Sequence, residues 1–257
     1  MVYRKEIDGL RALAIVSVIF YHAGFEFFSG GYVGVDVFFV ISGYLITTIL
    51  FEDIENKQFS FSNFYKKRAK RILPVLYLVV IVTSIASIFI LYPAELISFA
   101  KSVISIPFFS SNFFFWSERG YFNSDSLLKP LIHTWSLGVE EQFYILFPIF
   151  LFFLRSKIFL FYSLLILLFF FSLGLSYYLT LLHFETAFFL IFARAYEIIL
   201  GSFAAISLKK NKFVIKKSIY ADFFSVVGLS LIIFPIINFD AKTLFPYINS
   251  LFPTFGS

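Results

Sequence analysis

The sequence predicts an all-α protein, a polytopic transmembrane helical bundle, from its composition and from the length of its apolar runs. Hydrophobic residues make up 60% of the 257 residues, charged residues only 14%, and the mean hydropathy is +0.87. A soluble domain is closer to half apolar and a quarter charged. The chain also has 41 Phe residues, more than a soluble core of this length can enclose within a polar shell. We therefore expect most of the apolar surface to face lipid.

Seven apolar stretches reach the roughly 17–25 residues that a helix needs to cross a bilayer. A further stretch, 95–116, contains Lys101, Pro107 and a Ser-Ser-Asn group, and we predict that it is a re-entrant or interfacial element. Irregular backbone at membrane depth is stable only where protein or a water-filled cavity covers it, so we expect a cavity beside this element. The predicted spans are 7–23, 32–51, 73–92, 133–154, 158–182, 187–208 and 221–239.

The distribution of positive charge predicts a multi-pass protein with a cytoplasmic N-terminus. Basic clusters at 57–71, 155–157 and 209–217 all fall on the inner side if 95–116 does not cross the membrane. If that stretch crossed, the cluster at 209–217 would face outward, against the positive-inside rule. The net charge of +5 therefore indicates topology, and we expect a lipid bilayer and no nucleic acid as partner.

Two further features limit the kinds of site that the chain can hold. It has no Cys, which excludes disulfides, a thiolate nucleophile and Cys-based metal sites, and we expect neither a metal nor a permanently bound cofactor. It stops at 251–257 without a polar closing segment, and we expect it to be the N-terminal piece of a longer protein.

Ionisable groups inside spans are functional candidates, because each costs about 2.5–3.5 kcal/mol at a helix centre. Arg11 and His22 project from one face of the first span, about 16 Å apart. The apolar Ile15 and Val18 lie between them, a stripe about as long as an extended thioester-bearing arm. Asp36 starts the next span at the depth of His22, where a carboxylate could fix the imidazole tautomer for catalysis. The alternatives are a snorkelling arginine, an interfacial histidine and a helix-terminal charge.

The span 133–154 begins with the densest polar content of any span, which a wet cavity would explain. Two adjacent carboxylates there point about 100° apart, so we expect one to face a substrate and the other to brace a neighbouring helix. We assign catalysis to Glu141. We assign cavity-lining or structural roles to Glu140, His133, Trp135, Ser136, Arg194 and Glu197, the last two as an ion pair within one helix.

Arg68 and Arg71 lie at the cytoplasmic mouth of the third span. Their spacing of three residues would let both guanidinium groups hold one phosphate-bearing ligand. The alternative is ordinary positive-inside charge.

Taken together, these motifs resemble acyltransferase family 3, bacterial membrane proteins that O-acylate envelope glycans. The resemblance covers essentially the whole chain. It rests on the opening residues 3–12, on Arg11 and His22 with their ten-residue gap, and on the Arg68 and Arg71 pair. It also rests on the blocks GGYVGVDVFFVISG from residue 30, KPLIHTWSLGVEEQFY from residue 129 and RAYEIILG from residue 194.

The resemblance implies transfer of an acyl group, usually acetyl, from cytoplasmic acyl-CoA as co-substrate. The implied acceptor is a sugar hydroxyl of lipopolysaccharide O-antigen, peptidoglycan or exopolysaccharide, and the implied location is the bacterial inner (cytoplasmic) membrane. It further implies that His22 is essential and that Arg11, Arg68 and Arg71 act in catalysis or donor binding. Family members have more spans than this chain, and many carry an extracytoplasmic SGNH-type domain.

Two other functions fit the same residues. A transporter or flippase would use Glu140, Glu141, Asp36 and Arg194 as a proton or ion relay and would consume no acyl-CoA. A non-catalytic membrane subunit would recruit a partner acyltransferase. Within the enzyme hypothesis, His22 could act as a general base or could itself accept the acyl group.

Overall fold

The computed structural model describes residues 4–118, 129–209 and 219–257, and these ranges contain α-helices, short 3-10 turns and no β-strand. The all-α prediction is therefore confirmed. Most of the basic cluster at 209–217, on which the topology prediction partly rests, lies outside the described residues. The helices are α1 Lys5–His22, α2 Gly34–Glu55, α3 Phe61–Ile90, α4 Pro93–Ser105, α5 Ser111–Ser117, α6 Thr134–Leu154, α7 Ile158–Leu182, α8 Phe184–Phe189, α9 Ile191–Lys209, α10 Ile219–Asn238 and α11 Leu251–Gly256.

Within the described ranges, six helical segments are long and apolar enough to cross a membrane, so the protein is a multi-pass membrane protein. They are α2, α3, α6, α7, α8 continued into α9, and α10, and they correspond to six of the seven predicted spans. The seventh, α1, has 18 residues but includes four charged side chains. That α1 crosses the membrane therefore stays a prediction.

The helix α3 begins twelve residues before the predicted span. Ser60 precedes it and accepts a hydrogen bond from the backbone N–H of Asn63 (3.5 Å), which satisfies one of the unpaired donors at the helix start. Residues 61–72 are too polar for a hydropathy signal, yet they are helical. Arg68 and Arg71 consequently lie inside α3, before Pro74, rather than in the loop that leads to it.

The ambiguous stretch 95–116 does not form one continuous helix. It is divided into α4 and α5 by a 3-10 turn, Ile106–Phe108, and by Phe109 in the left-handed conformation (φ 50°). A cavity of about 270 Å³ borders α4 and α5, with Glu95, Ser98 and Lys129 in its wall. That this stretch is a re-entrant or interfacial element stays a prediction.

The chain divides into two compact units. The first comprises Met1–Glu52, Ser156–Phe188 and Phe192–Ser257, and the second comprises Asp53–Arg155 and Phe189–Ile191.

In the first unit, α2 and α9 run parallel and touch through glycines. A Cβ atom on Gly43 would collide with the carbonyl oxygen of Ile198, and one on Gly201 with that of Val40, so only glycine permits this approach. The contacts advance in the same direction along both helices: Asp36 with Arg194, Gly43 with Ile198, Thr47 with Ser202.

In the second unit, α3 and α6 run antiparallel. Their contacts advance in opposite directions: Phe61 with Phe152, Tyr65 with Ile145, Arg68 with Glu141. Successive spans of a multi-pass protein alternate in direction. Antiparallel α3 and α6 are therefore the directions expected if no further span lies between them in the chain. Parallel α2 and α9 are the directions expected from the same number of spans. That 95–116 does not cross the membrane stays a prediction.

Candidate active site

His22 is the last residue of α1, and its imidazole is exposed. The ring nitrogen Nδ1 lies 2.8 Å from the carbonyl oxygen of Val18, one turn earlier. Because a carbonyl can only accept a hydrogen bond, Nδ1 is the protonated nitrogen of the neutral ring. The lone pair is then on Nε2, so Nε2 is the nitrogen that can act as a general base or a nucleophile.

The prediction that Asp36 fixes this tautomer is not supported by the structure, which gives that role to the backbone. The carboxylate of Asp36 is fully buried and pairs with Arg194 of α9, with Oδ1 3.2 Å from Nη2. The physical reason lies in helix packing: Asp36 precedes Gly43 by two turns, and the close approach at that glycine brings α9 to the carboxylate. Sequence proximity to His22 carries no information about which face of α2 the side chain occupies.

Asp36 is part of a buried ion cluster that also contains Glu197. Arg194 Nη1 lies 3.1 Å from Glu197 Oε1, so the predicted pair within one helix is confirmed. All three side chains are essentially inaccessible, and the rings of Phe39, Phe188 and Phe245 lie 5.4–5.7 Å from the guanidinium. Such an enclosed cluster holds α2 against α9, which is a structural function.

A second ion pair joins α3 to α6 in the second unit. Arg68 Nη2 lies 3.3 Å from Glu141 Oε1, and the two side chains are only 18% and 9% exposed. The Arg68 guanidinium also lies 4.1 Å from the centroid of the Tyr144 ring. Tyr144 in turn donates to Glu140 (3.4 Å). One of the two adjacent carboxylates thus braces a neighbouring helix, as expected, but it is Glu141, to which we assigned catalysis.

The other residues predicted to line a cavity near the start of α6 have different environments. Trp135 is 1% exposed and packs edge-to-face on Phe189 (5.4 Å), so of the two roles assigned to it the structural one fits its position in the core. His133 is exposed, and its carbonyl accepts a hydrogen bond from Ser136 (3.2 Å). Glu140 is half-buried.

Sequence reasoning missed an amide pair that joins α5 to α6. Gln142 Nε2 donates to Asn112 Oδ1 (2.8 Å) and to the carbonyl of Phe109 (2.9 Å), and Asn112 donates to the carbonyl of Phe189 (3.2 Å). The signal was present, since Asn112 belongs to the polar group that interrupts 95–116 and Gln142 follows the two glutamates. No pattern in the sequence links the two amides.

The stripe between Arg11 and His22 is accessible. Ile15 is 46% exposed, whereas Ala14 and Ser17 form the buried face of α1. Arg11 is half-buried and lies 3.7 Å from Asp8, one turn earlier. Within the first unit this stripe of α1 is therefore exposed at Ile15 and half-buried at Val18, which faces Gly34 of α2. Arg71 is likewise exposed, one turn after Arg68 on α3.

Comparison with known proteins gives consistent results. A family model described as an acyltransferase domain matches residues 4–256. The peptidoglycan O-acetyltransferase OatA of Listeria monocytogenes is 43% identical over 151 residues, 58% of this chain and 24% of that protein. The O-acetyltransferase OatA of Staphylococcus aureus is 42% identical over 158 residues, 60% of this chain and 26% of that protein.

The putative peptidoglycan O-acetyltransferase YrhL of Bacillus subtilis is 43% identical over 152 residues, 58% of this chain and 24% of that protein. The aligned region thus spans about a quarter of the length of these relatives. No solved structure matches the chain. Because the family model covers nearly the whole chain, and the motifs around Arg11, His22 and Glu141 lie inside the matched range, the chain belongs to the acyltransferase 3 family.

Proposed function

We propose that this chain is the membrane part of an O-acetyltransferase that moves an acetyl group from cytoplasmic acyl-CoA to a hydroxyl of a cell-wall glycan. Family membership supports acyl transfer, and the names of the relatives favour peptidoglycan over lipopolysaccharide O-antigen or exopolysaccharide as acceptor. The observation that carries the proposal is the His22 ring, exposed at the end of α1 with Nδ1 held by a backbone carbonyl.

In the proposed reaction His22 is a general base. Nε2 takes the proton of the sugar hydroxyl while the hydroxyl oxygen attacks the thioester carbonyl, and the carbon–sulfur bond breaks. The imidazolium then gives its proton to the departing CoA thiolate, which returns the ring to its neutral form. The Val18 carbonyl stabilises the imidazolium, because Nδ1–H donates to it throughout. Acceptance of the acetyl group by Nε2 before transfer to the sugar is the second route that the same tautomer permits.

Donor binding is proposed for the arginines. Arg71 is exposed and would bind the phosphates of acyl-CoA, with Arg68 contributing those N–H groups that do not face Glu141. For Arg11, in the first unit, a role in donor binding is proposed separately, on the family resemblance. In this proposal the N-terminus is cytoplasmic in the bacterial inner membrane, and His22 lies toward the outer side.

The test is a His22→Ala variant of the full-length protein, with His183→Ala, another exposed histidine, as the control. Loss of a positioned general base reduces a rate by about 10²–10⁴-fold. We expect release of free CoA thiol and acetylation of the glycan to fall together by this factor in the His22 variant alone, with normal membrane insertion. Near-normal transfer would refute the role of His22. Movement of a substrate without CoA release would instead favour the transporter hypothesis.

A further inference from the structure

The residue that terminates α2, Lys57, is of a type that is uncommon at this position. The backbone N–H of Lys57 bonds to the carbonyl of Ile54 (3.1 Å), and that of Gln58 bonds to the carbonyl of Asp53 (2.8 Å). This pair of bonds defines a Schellman motif, in which the residue at the position of Lys57 is left-handed and usually glycine. Lys57 adopts φ 55° there at a conformational cost that glycine would not have. A strained residue that is not glycine indicates a use for its side chain.

Lys57 lines a cavity of about 420 Å³ together with Ile54, Phe59 and Arg155. This volume is within the range of about 300–1,000 Å³ that is typical of small-molecule sites. The wall has two cationic side chains and no carboxylate. Within the described part of the chain neither Lys57 nor Arg155 forms an ion pair, so both charges are available to a ligand.

The second cation is held in place by aromatic rings. The Arg155 guanidinium, just after the end of α6, lies 4.0 Å from the centroid of the Phe152 ring. Phe152 itself packs on Phe59 (5.8 Å) and on Phe61 (5.2 Å). Stacking on an aromatic face leaves the edge of the guanidinium, with its N–H donors, free to point elsewhere. The cavity therefore combines the Arg155 guanidinium, stacked on Phe152, and the exposed Lys57 side chain with an apolar, aromatic wall.

We propose that this cavity binds a phosphate ester whose remaining part is apolar or aromatic. Planar guanidinium and ammonium groups together are the chemistry that recognises a phosphate. Two sources supply such a ligand at the end of a membrane helix: the headgroup of an anionic phospholipid, and the 3′-phosphorylated nucleotide of a soluble donor. The site is separate from Arg68 and Arg71. Its nucleotide alternative rests on the proposed acyl-CoA donor, whereas its phospholipid alternative does not depend on the proposed acetyl transfer.

The experiment compares Lys57→Gly and Arg155→Gln with Lys67→Gln, which removes an exposed lysine of α3 outside the cavity. Binding of phosphatidylglycerol to the purified full-length protein is measured by native mass spectrometry. Binding of adenosine 3′,5′-bisphosphate is measured by calorimetry. A cation close to a phosphate contributes about a fivefold change in affinity. We therefore expect about fivefold weaker binding in each cavity variant and no change of affinity in the control.

Lys57→Gly also separates binding from folding, because glycine suits the left-handed position. We expect its melting temperature to equal or exceed that of the wild type. Weaker phosphatidylglycerol binding in both cavity variants identifies a lipid site, and weaker nucleotide binding identifies a soluble phosphate ester. If neither affinity depends on Lys57 and Arg155, the proposal is overturned.

Discussion

The buried cluster of Asp36, Arg194 and Glu197 places two carboxyl groups against one guanidinium in a fully enclosed space. Replacing the one arginine is costly, because both carboxyl groups stay buried and lose the positive charge that offsets their desolvation. Removing one carboxylate leaves a balanced pair. The residues of the cluster are therefore unequal in their contribution to stability.

We expect Arg194→Gln to destabilise the protein by about 3–5 kcal/mol. Asp36→Asn should cost less, about 1–3 kcal/mol, since it removes one of the two ion pairs of Arg194 and leaves the pair of Arg194 with Glu197. Unfolding of the detergent-solubilised protein measures both. Equal losses would show that the guanidinium does not organise the cluster.

Glu141 can be tested for bracing and catalysis separately. If it braces α3, Glu141→Gln and Arg68→Gln should each lower stability, and a double-mutant cycle should give a coupling energy of about 0.5–3 kcal/mol. The partial exposure of Arg68, 18%, places the value toward the lower end. A variant of Glu141 with normal stability but no acetyl transfer would instead support the catalytic role that the sequence predicted.

At this scale the sequence identified the polar residues but not their partners. The spacing of Arg194 and Glu197 within one helix was sufficient to predict their pair. The pairing of Asp36 was not predictable, because it depends on the rotation of α2 about its axis and on a helix that follows more than 150 residues later.

At the scale of helices, the contact of α2 with α9 depends on the absence of side chains at two positions. Gly43→Ala and Gly201→Ala each force a Cβ against the backbone of the other helix. We expect a loss of about 1–3 kcal/mol or more for each, measured by thermal unfolding.

The matched control is Gly174→Ala on α7, where nothing lies within 4 Å of the added Cβ. Alanine is favoured over glycine inside a helix by about 0.5–1 kcal/mol, so this variant should be neutral or more stable. If all three variants behave alike, helix propensity rather than close packing determines their effect.

Hydropathy predicted the apolar parts of the helices well and their polar parts poorly. It found α2, α6, α7, α9 and α10 at nearly their observed positions. It missed the first three turns of α3, where Ser60 and helix-compatible basic residues continue the helix beyond the apolar run. Apolar composition reports on contact with lipid, whereas helix continuation depends on caps and backbone hydrogen bonds.

For the whole molecule, composition and the length of the apolar runs were sufficient to predict an all-α membrane protein, whereas the positive charge predicts that 95–116 does not cross, which stays a prediction. The absence of Cys makes the topology directly measurable with single introduced cysteines and an impermeant maleimide. We expect Tyr92→Cys and His133→Cys, which flank the disputed stretch, to react on intact cells. Asn56→Cys and Lys157→Cys should react only after permeabilisation. Labelling of 92 and 133 from opposite sides would show that 95–116 crosses.

The pair of Asp36 and Arg194 also bears on biosynthesis. The carboxylate is made 158 residues before the guanidinium that it meets in the finished protein. At about 5–20 residues per second, α2 exists for roughly 8–30 s before α9 is translated. During that interval Arg194 has not yet been made, so a charged Asp36 inside the membrane would carry a large free-energy penalty. Lateral release of α2 from the insertion machinery should therefore be delayed until α9 emerges, and the ion pair would mark the docking of α9 on α2.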